Sequence, residues 1–592
     1  MLRRPLLACF LATFSVLLAE SSAVRADTIQ ARPDILAGHY DPETQTFDSL
    51  TFANQVVGAD FLYNSGYFGS GQIVANVEGG LVWDGHEVFD RSGLGLGPTV
   101  SLTSYITPNP TTAPEAGSLD FHATMVGHVL AGTGYSNGSL TYLGAGMAPL
   151  ANIWSGAIAT TFSSTEVGSF EISTESFVTP YKTFFNGVGN VKPAAINSSW
   201  GEDDPAGTSF ETATIDGLAR QNPTVAFVAS AGNSGPGTGT VGGPGSGYNG
   251  ITVGSLGGRT DPQPYLRPSD FTSSGPIDFY NPQTEETLHG VRAGVTISAP
   301  GEDLVLAAYL GATGSLKSRP DITQTPSPTD QYFLNQAGTS FAAPIVSGGI
   351  TLLKDVAQGN LTNLTTAEDS RVVKAVLMAG ATRTTGWNNG QTLQSGVVRT
   401  TQALDYTTGA GRLNLQDSAL IYVTGTHDVA GLGGGSIESL GWDFGSLALG
   451  GTNTYTFDQS FLANVELTLS LSWFVDRGFD NETNTTSDSM FANLNLHLYL
   501  LNGGTPELVA ESMSLYNNDE FLRFDLTQAG LYQITVTYDG VLYNLTGGGP
   551  LDESYGLAWQ TQVVPEPSVN LLLAASGLLL VFLYRRRAGL RA

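Results

Sequence analysis

The sequence predicts an α/β fold, a parallel sheet flanked by helices, followed by a small all-β sandwich domain. Between about residues 55 and 425, short apolar runs alternate with helix-like patterns, as in a parallel sheet covered by helices. After a glycine-rich link at 431–435, apolar residues occupy every second position, which is typical of antiparallel strands. The 592 residues suffice for two folded units.

The first 26 residues have the pattern of a secretory signal peptide. Two arginines precede an apolar stretch from Pro5 to Ala19, and a small-residue cleavage site ends at Ala26. The apolar stretch is too short to cross about 30 Å of hydrocarbon, so a membrane span is the weaker interpretation. Because the single cysteine, Cys9, lies in this segment, the mature protein can form no internal disulfide and has no thiol nucleophile. Residues 27–54 then form a short N-terminal segment.

Three apolar runs, at 73–77, 194–196 and 225–229, are predicted as central strands of the sheet. Each run is followed by a polar or glycine-rich turn. In open α/β sheets, ligands bind at the carboxyl ends of the strands, so chemistry is expected at these turns.

Ser340 lies where a buried helix is predicted to begin. The motif Gly-Thr-Ser-Phe-Ala-Ala-Pro at 338–344 precedes apolar residues at helical spacing. Small neighbours leave the hydroxyl accessible, and a helix N-terminus favours developing negative charge, as a nucleophilic serine requires. An ordinary helix N-cap is the alternative interpretation of this motif taken alone.

A second helix is predicted to begin at His122, from the segment His-Ala-Thr-Met-Val-Gly-His at 122–128. His128 is six residues farther on, about 240° around the helix, so the two histidines cannot bind one metal ion from the same face. We interpret His128 as structural or solvent-exposed, and no metal site is predicted.

Asn233 follows the strand at 225–229 in a Gly-Asn-Ser-Gly turn. Acyl transfer passes through an oxyanion that needs fixed hydrogen-bond donors, and an asparagine amide on a tight turn can supply one. In isolation the same residues indicate only a turn.

Taken together, the segments around Ser340, His122 and Asn233 resemble the subtilisin-like serine peptidases, or subtilases, in the family's order along the chain. The resemblance covers roughly residues 55 to 420, the predicted peptidase domain being 55–425. It implies a secreted serine endopeptidase in which Ser340 is the nucleophile, His122 the general base and Asn233 the oxyanion donor. Ala123 departs from the family, which has glycine at that position.

The main departure from the family lies at the first motif, where the family has Asp-Thr-Gly and this chain has Glu78-Gly-Gly. The acid that orients the histidine would then be Glu78, since a glutamate can accept the imidazole N–H if the backbone allows for one extra methylene. Asp84 and Asp120 are rival candidates. A peptidase of the sedolisin type, with a Glu-Asp-Ser centre, is disfavoured because His122 and Asn233 stand in the subtilase order.

The resemblance also implies substrate-binding residues. Ser199, Trp200 and Gly201 resemble the segment that pairs with an extended peptide, with Trp200 lining a pocket upstream of the cleaved bond. A bulky apolar residue at that substrate position is the expectation.

The C-terminal sandwich is predicted over 430–560 and is similar in pattern to small β domains of secreted bacterial peptidases. Its loop from Asp476 to Asp488 carries oxygen ligands of the kind that structural calcium uses, but a solvated hairpin loop is the favoured interpretation. No other cofactor is predicted. Contact of this domain with exopolysaccharide or the cell envelope is a further hypothesis.

The extreme C-terminus, 563–592, has a Pro-Glu-Pro sequence, an apolar run from Val569 to Tyr584 and three arginines. This arrangement resembles the PEP-CTERM sorting signal of Gram-negative bacteria, which implies removal by a membrane-bound, exosortase-type protease. The apolar run is short for a permanent span, which favours a sorting signal that is later removed. The membrane segment would therefore be transient, and a retained segment is the alternative. The implied location is periplasmic, cell-surface or extracellular.

The formal net charge of −28 makes nucleic acid an unsuitable partner and is interpreted as serving solubility, whereas the polypeptide substrate is what the resemblance implies. The competing hypothesis is a catalytically silent surface protein that uses the subtilase fold as a binding or structural module. Glu78, Ala123 and the short N-terminal segment favour that alternative, whereas the joint presence of Ser340, His122 and Asn233 favours the peptidase.

Overall fold

The computed structural model describes residues 52–134, 144–163, 169–309, 332–429, 433–503 and 506–563, together with two short strands at 40–41 and 46–47. The predicted signal peptide at 1–26 and the hydrophobic segment at 569–584 lie outside the described residues. Within the described ranges, no helix is both long and apolar enough to cross a membrane.

The strands fall into two groups along the chain. The strands that precede residue 425 are β1 (Tyr40–Asp41), β2 (Thr46–Phe47), β3 (Ile73–Glu78), β4 (Val100–Ser104), β5 (Asn152–Ala157), β6 (Ala159–Phe162), β7 (Phe170–Ile172), β8 (Ala195–Ser198), β9 (Ala226–Ser230), β10 (Ile251–Gly257), β11 (Arg267–Pro268), β12 (Ile277–Asn281), β13 (Glu286–Arg292), β14 (Ile297–Pro300), β15 (Leu304–Ala307), β16 (Tyr332–Gln336), β17 (Thr392–Gln394) and β18 (Val397–Thr400). Those that follow are β19 (Thr426–His427), β20 (Gly435–Ile437), β21 (Leu440–Leu447), β22 (Thr452–Phe461), β23 (Val465–Trp473), β24 (Asp476–Asp480), β25 (Thr485–Leu500), β26 (Glu507–Ser512), β27 (Asp519–Asp525), β28 (Gly530–Asn544) and β29 (Glu553–Val563).

The central sheet has the strand order β11-β10-β9-β8-β3-β5-β4, with β14 also paired to β10. All neighbours are parallel except β11, which is antiparallel to β10. The predicted central strands correspond to β3, β8 and β9, so the α/β prediction is confirmed. Their residues are buried almost throughout because helices cover both faces of the sheet.

The helices are α1 (Ala53–Val56), α2 (Ala59–Tyr63), α3 (Phe121–Ala131), α4 (Thr174–Asn186), α5 (Phe210–Gln221), α6 (Thr339–Asn360), α7 (Leu364–Ala367), α8 (Ser370–Gly380) and α9 (Leu415–Val423). Two of them begin one residue before those that the sequence singled out, since His122 and Ser340 are the second residues of α3 and α6. Helix α6 is buried from Thr339 to Ala357 and packs against β8, β9 and β10. The nucleophile candidate therefore stands on a rigid element in the centre of the molecule.

The C-terminal strands form two further sheets, as the alternating apolar pattern predicts. One has the order β17-β18-β26-β25-β28-β22-β20, with β24 paired to β25, and the other has the order β19-β21-β29-β23-β27. The first sheet includes the hairpin β17–β18, which precedes the predicted domain boundary near residue 425. The two halves of the chain thus share a sheet.

Candidate functional site

Glu78 and His122 contact each other at the carboxyl end of β3. Glu78 is the last residue of that strand, and its Oε2 lies 3.1 Å from Nδ1 of His122. The glutamate side chain is 1% exposed, whereas the histidine side chain is 28% exposed. A buried acid thus holds one ring nitrogen of a histidine that remains accessible on its other side.

Burial raises the pKa of the Glu78 carboxyl above its ordinary value of 4.5. The hydrogen bond and the charge of His122 oppose this shift, as does a hydrogen bond from the Ser199 N–H to Glu78 Oε1 at 2.9 Å. Both carboxylate oxygens therefore have a donor, and the anion is oriented in spite of its desolvation.

The rival acids do not hold His122 in the same way. Asp120 is the N-cap of α3, and its Oδ2 accepts a hydrogen bond from the Ala123 N–H at 3.0 Å. Asp84 lies in a turn and is half-buried. The structure shows a salt bridge between the Glu78 carboxylate and the His122 ring.

Ser340 lies beside this pair at the start of α6. The ring of Phe341, the next residue, has its centroid 6.0 Å from that of His122, which places the base next to the first turn of the helix. The backbone N–H of Ser340 has no acceptor within the helix, because the first N–H groups of any α-helix lack one. It is thus available to an external anion.

Ser199 connects the serine to the acid through three hydrogen bonds. Its N–H donates to Glu78, its Oγ donates to the Ser340 carbonyl at 2.9 Å, and its own carbonyl accepts from Ser340 Oγ at 3.1 Å. The Ser340 carbonyl needs such a donor because the residue four positions on, Pro344, has no N–H to complete the helical hydrogen bond. The sequence indicated Ser199 only as a substrate-pairing residue. Its hydrogen bonds to Glu78 and Ser340 were not predicted.

Asn233 is oriented by Thr339, which the sequence did not single out. The Thr339 N–H and Oγ1 both donate to Asn233 Oδ1 at 2.9 Å. With its oxygen held by two donors, the amide directs its Nδ2 donor away from Thr339. Thr339 is fixed in turn, since its Oγ1 accepts a hydrogen bond from the Gly232 N–H.

A cavity of about 530 Å³ opens between these elements. Its lining includes Ser199, Trp200 and Gly201, together with Asn233 and Ser340. The structure thus brings the predicted nucleophile, oxyanion donor and substrate-binding residues to one cleft.

Trp200 differs from the expectation of an open apolar pocket wall. Trp200 is only 9% exposed. Its Nε1 donates a hydrogen bond to the Tyr181 hydroxyl at 2.9 Å, and its ring packs edge-on against Phe177. The indole is thus anchored in the core beneath the cleft. Apart from Trp200, no described lining residue has an apolar side chain larger than that of alanine, so the expected preference for a bulky apolar residue lacks a matching surface.

His128 is structural, one of the two interpretations that the sequence left open. It is fully buried, with Nε2 3.1 Å from the Gly144 carbonyl and Nδ1 accepting from the Ala307 N–H at 3.0 Å. Desolvation lowers its pKa to about 4, so the ring is neutral at pH 7. Across the described part of the chain, no group of three His, Cys, Asp or Glu side chains is arranged to hold a metal ion.

The segment considered for calcium forms the hairpin β24–β25. Asp476 pairs with Arg220, and Asp488 pairs with Arg477 at 2.9 Å. Asp480 accepts hydrogen bonds from the Glu482 and Thr483 N–H groups at the tip. These carboxylates thus have protein partners, and calcium remains a prediction from the sequence alone.

Comparison with known proteins identifies two regions. The sequence model described as the subtilase family matches residues 69–411. The PEP-CTERM protein-sorting motif matches residues 563–587. No curated protein matches the chain.

Solved structures with a similar fold include the serine protease of Aeromonas sobria, with a TM-score of 0.41, 14% identity, and coverage of 85% of this chain and 90% of that chain. MycP1 from the ESX-1 type VII secretion system has a TM-score of 0.39, 19% identity, and coverage of 66% and 90%. The protease domain of PatA has a TM-score of 0.36, 21% identity, and coverage of 60% and 96%.

Proposed function

The chain belongs to the subtilase family, and from that premise we propose that it is an exported serine endopeptidase that cleaves peptide bonds through an acyl-enzyme on Ser340. The observation that supports this most is the 3.1 Å contact between Glu78 and His122, with the other Glu78 oxygen tied to Ser199 beside Ser340. That arrangement supplies an oriented base next to a hydroxyl at a helix N-terminus.

In the proposed mechanism, Ser340 Oγ attacks the carbonyl carbon of the peptide while His122 accepts its proton. His122 then donates that proton to the leaving amine, and a water molecule deacylates the enzyme by the same route in reverse. Glu78 accepts a hydrogen bond from the Nδ1–H of His122, which fixes the tautomer and stabilises the imidazolium. Its buried position makes this charge interaction stronger than it would be in water.

The oxyanion that forms during both steps would lie between the Asn233 amide and the Ser340 N–H. Thr339 contributes by holding Asn233 Oδ1, so that the amide need not reorganise when charge develops. Ser199, Trp200 and Gly201 would pair with the substrate backbone along the cleft.

Export follows from the sorting motif at 563–587, which implies an exosortase-type processing protease and a cell-surface or extracellular location. A predicted signal peptide at 1–26 is consistent with this path. Whether the segment 569–584 remains as an anchor, and whether the sandwich contacts exopolysaccharide, are separate hypotheses; a sugar pull-down with the exported chain tests the second.

The test is casein hydrolysis by residues 27–563, which contain every described helix and strand. We expect turnover that is lost in Ser340→Ala and retained in Ser436→Ala, which removes an exposed hydroxyl on β20 as a matched control. Absence of turnover in folded protein, or turnover that survives Ser340→Ala, would instead support the catalytically silent surface protein.

A further inference from the structure

Two acidic residues, Glu202 and Asp203, line the cleft that contains Ser340. Among the described lining residues there is no lysine, arginine or histidine to balance them. The next acid along the chain, Asp204, does not line the cleft, because its oxygens accept hydrogen bonds from the Thr208 and Ser209 N–H groups and the Thr212 hydroxyl.

Neither cleft carboxylate is fully paired. Glu202 Oε1 accepts from the Ser209 hydroxyl at 2.6 Å, while Oε2 has no hydrogen-bond partner among the described residues. Asp203 is exposed, and within the described ranges its carboxylate has no partner. Burial raises the pKa of Glu202, with Glu211 and Asp204 adding to the shift, so a nearby cation would relieve an existing electrostatic cost.

The segment of the cleft wall that pairs with Glu202 consists of two glycines, Gly242 and Gly243. The Glu202 N–H donates to the Gly243 carbonyl at 2.8 Å, and a Cβ on Gly242 would lie 2.0 Å from the Glu202 carbonyl oxygen. A Cβ on Gly243 would lie 3.1 Å from Glu202 Oε1. The cleft beside the acids is thus walled by backbone, and it offers a substrate side chain more polar than apolar contact.

The position of the acids suits a long side chain. Glu202 is three residues beyond Ser199, which contacts Ser340, and an extended chain covers about 10 Å in three residues. The charge of the whole molecule, −28, would also draw cationic peptides to it.

We propose that Glu202 and Asp203 make this cleft select substrates with an arginine or lysine immediately before the cleaved bond. The inference rests on the proposed peptidase function and names its substrate class. The cavity that contains Ser340 and Asn233 carries it, because charge alone would not place a cation next to the nucleophile. A guanidinium in this position would form charge-assisted hydrogen bonds to the half-buried Glu202 carboxylate and the exposed Asp203 carboxylate.

The test compares fluorogenic peptides that differ only at that residue. Residues 27–563 are assayed with arginine, lysine, leucine and citrulline, which is the uncharged near-isostere of arginine. We expect kcat/KM for arginine to exceed that for citrulline by at least about tenfold. Equal values, or a preference for leucine, would overturn the proposal while leaving the peptidase function intact.

Variants then assign the selectivity to the two acids. In the double variant Glu202→Gln/Asp203→Asn, the ratio of arginine to citrulline turnover should fall at least about tenfold. In Asp458→Asn, which removes an exposed carboxylate on β22, the ratio should match that of the wild type. An unchanged ratio of arginine to citrulline turnover in the double variant would show that groups other than these two acids determine the selectivity.

A binding measurement separates this proposal from catalysis. Benzamidine, an amidinium of a size similar to the arginine head group, should bind the Ser340→Ala protein in calorimetry and lose that binding when Glu202 and Asp203 are neutralised. Binding that the double variant retains would contradict the proposal. Binding without turnover of any peptide by the wild type would contradict the proposed function instead.

Discussion

At the scale of single residues, the Glu78 carboxylate accepts hydrogen bonds from two different parts of the chain. Oε2 contacts His122 on α3, and Oε1 accepts from Ser199 after β8. The extra methylene, relative to the family's aspartate, is accommodated at the end of β3 without loss of either contact. The glutamate therefore meets the geometric needs of an orienting acid.

Replacing Glu78 tests its role directly. Glu78→Gln should lower kcat/KM by about 10³- to 10⁴-fold, since loss of the acid alone leaves the nucleophile and oxyanion donors in place. Asp84→Asn, the matched control, should stay near wild type. Peptide hydrolysis measures both; equal losses in the two variants would assign the orienting acid elsewhere.

Glu520 on β27, in a C-terminal sheet, is a second buried acid. It accepts hydrogen bonds from the Ser514 N–H at 2.6 Å and the Ser514 hydroxyl at 2.8 Å, and it also contacts Ser512. Burial raises its pKa from 4.5 to about 8. Between those values the folded state keeps a proton that the unfolded state has lost, so stability must fall as pH rises.

The variant Glu520→Gln removes that proton equilibrium. We expect the decrease in unfolding free energy between pH 5 and pH 9 to be smaller than in the wild type by about 2–5 kcal/mol. Urea unfolding at several pH values gives the comparison, with Glu507→Gln on the exposed part of β26 as the control. Parallel pH profiles for wild type and Glu520→Gln would contradict this assignment.

The candidate site residues that could be identified from the sequence are those that lie in a short local motif. Ser340, His122 and Asn233 stand in short, specific patterns; Ser340 and Asn233 line the cleft, and His122 contacts Glu78. Ser199 as the link between Glu78 and Ser340, and Thr339 as the support of Asn233, were missed. Ser199 is 121 residues from Glu78 and 141 from Ser340, and no local pattern records such pairings.

At the scale of elements, the hairpin β24–β25 is fastened to helix α5 by a buried arginine. Arg477 donates to Asp216 at 3.0 Å and to Asp488 at 2.9 Å, and its side chain is 3% exposed. It also contacts the Gly207 carbonyl, in the loop before α5. These contacts join the sandwich to the peptidase half.

Arg477→Met should destabilise the protein by about 3–5 kcal/mol, because it leaves Asp216 buried without its cation. Arg267→Met, at an exposed pair with Asp261, should change stability by no more than about 1 kcal/mol. Urea unfolding of residues 27–563 measures both variants. Similar losses would mean that burial of the Arg477 pair has little energetic consequence.

The hairpin β17–β18 is an element that the sequence did not indicate. Its strands are only three and four residues long, and one of them, β18, pairs with β26, more than 100 residues later. The long strands of the sandwich were predicted because their alternation extends over many residues. A short strand leaves no such pattern, so the shared sheet could not be foreseen.

At the scale of the whole molecule, the two halves share their apolar cores. Trp442, Phe521 and Ala558 of the sandwich belong to the same buried cluster as helices α3 and α6. Conversely, Tyr248 and Phe279 belong to the cluster inside the sandwich. Polar contacts cross the same boundary, including an ion pair between Lys374 and Asp519 at 2.7 Å.

Removal of the sandwich should therefore destabilise the peptidase half. We expect residues 27–429 to lack a cooperative thermal transition and to aggregate, since the cut exposes apolar surface that the longer chain buries. Residues 27–563 should unfold in one calorimetric transition. A soluble, folded and casein-hydrolysing 27–429 fragment, or two well-separated transitions in 27–563, would show that the halves are independent.

If Ser340 is a nucleophile activated by His122 and Glu78, a fluorophosphonate probe should react with it covalently. Wild-type protein over residues 27–563 should be labelled, with the adduct mapped to Ser340 by peptide mass spectrometry. Labelling should be absent in Ser340→Ala and markedly slower in Glu78→Gln. Failure to label folded wild-type protein, or equal labelling of Ser340→Ala, would contradict this role of Ser340.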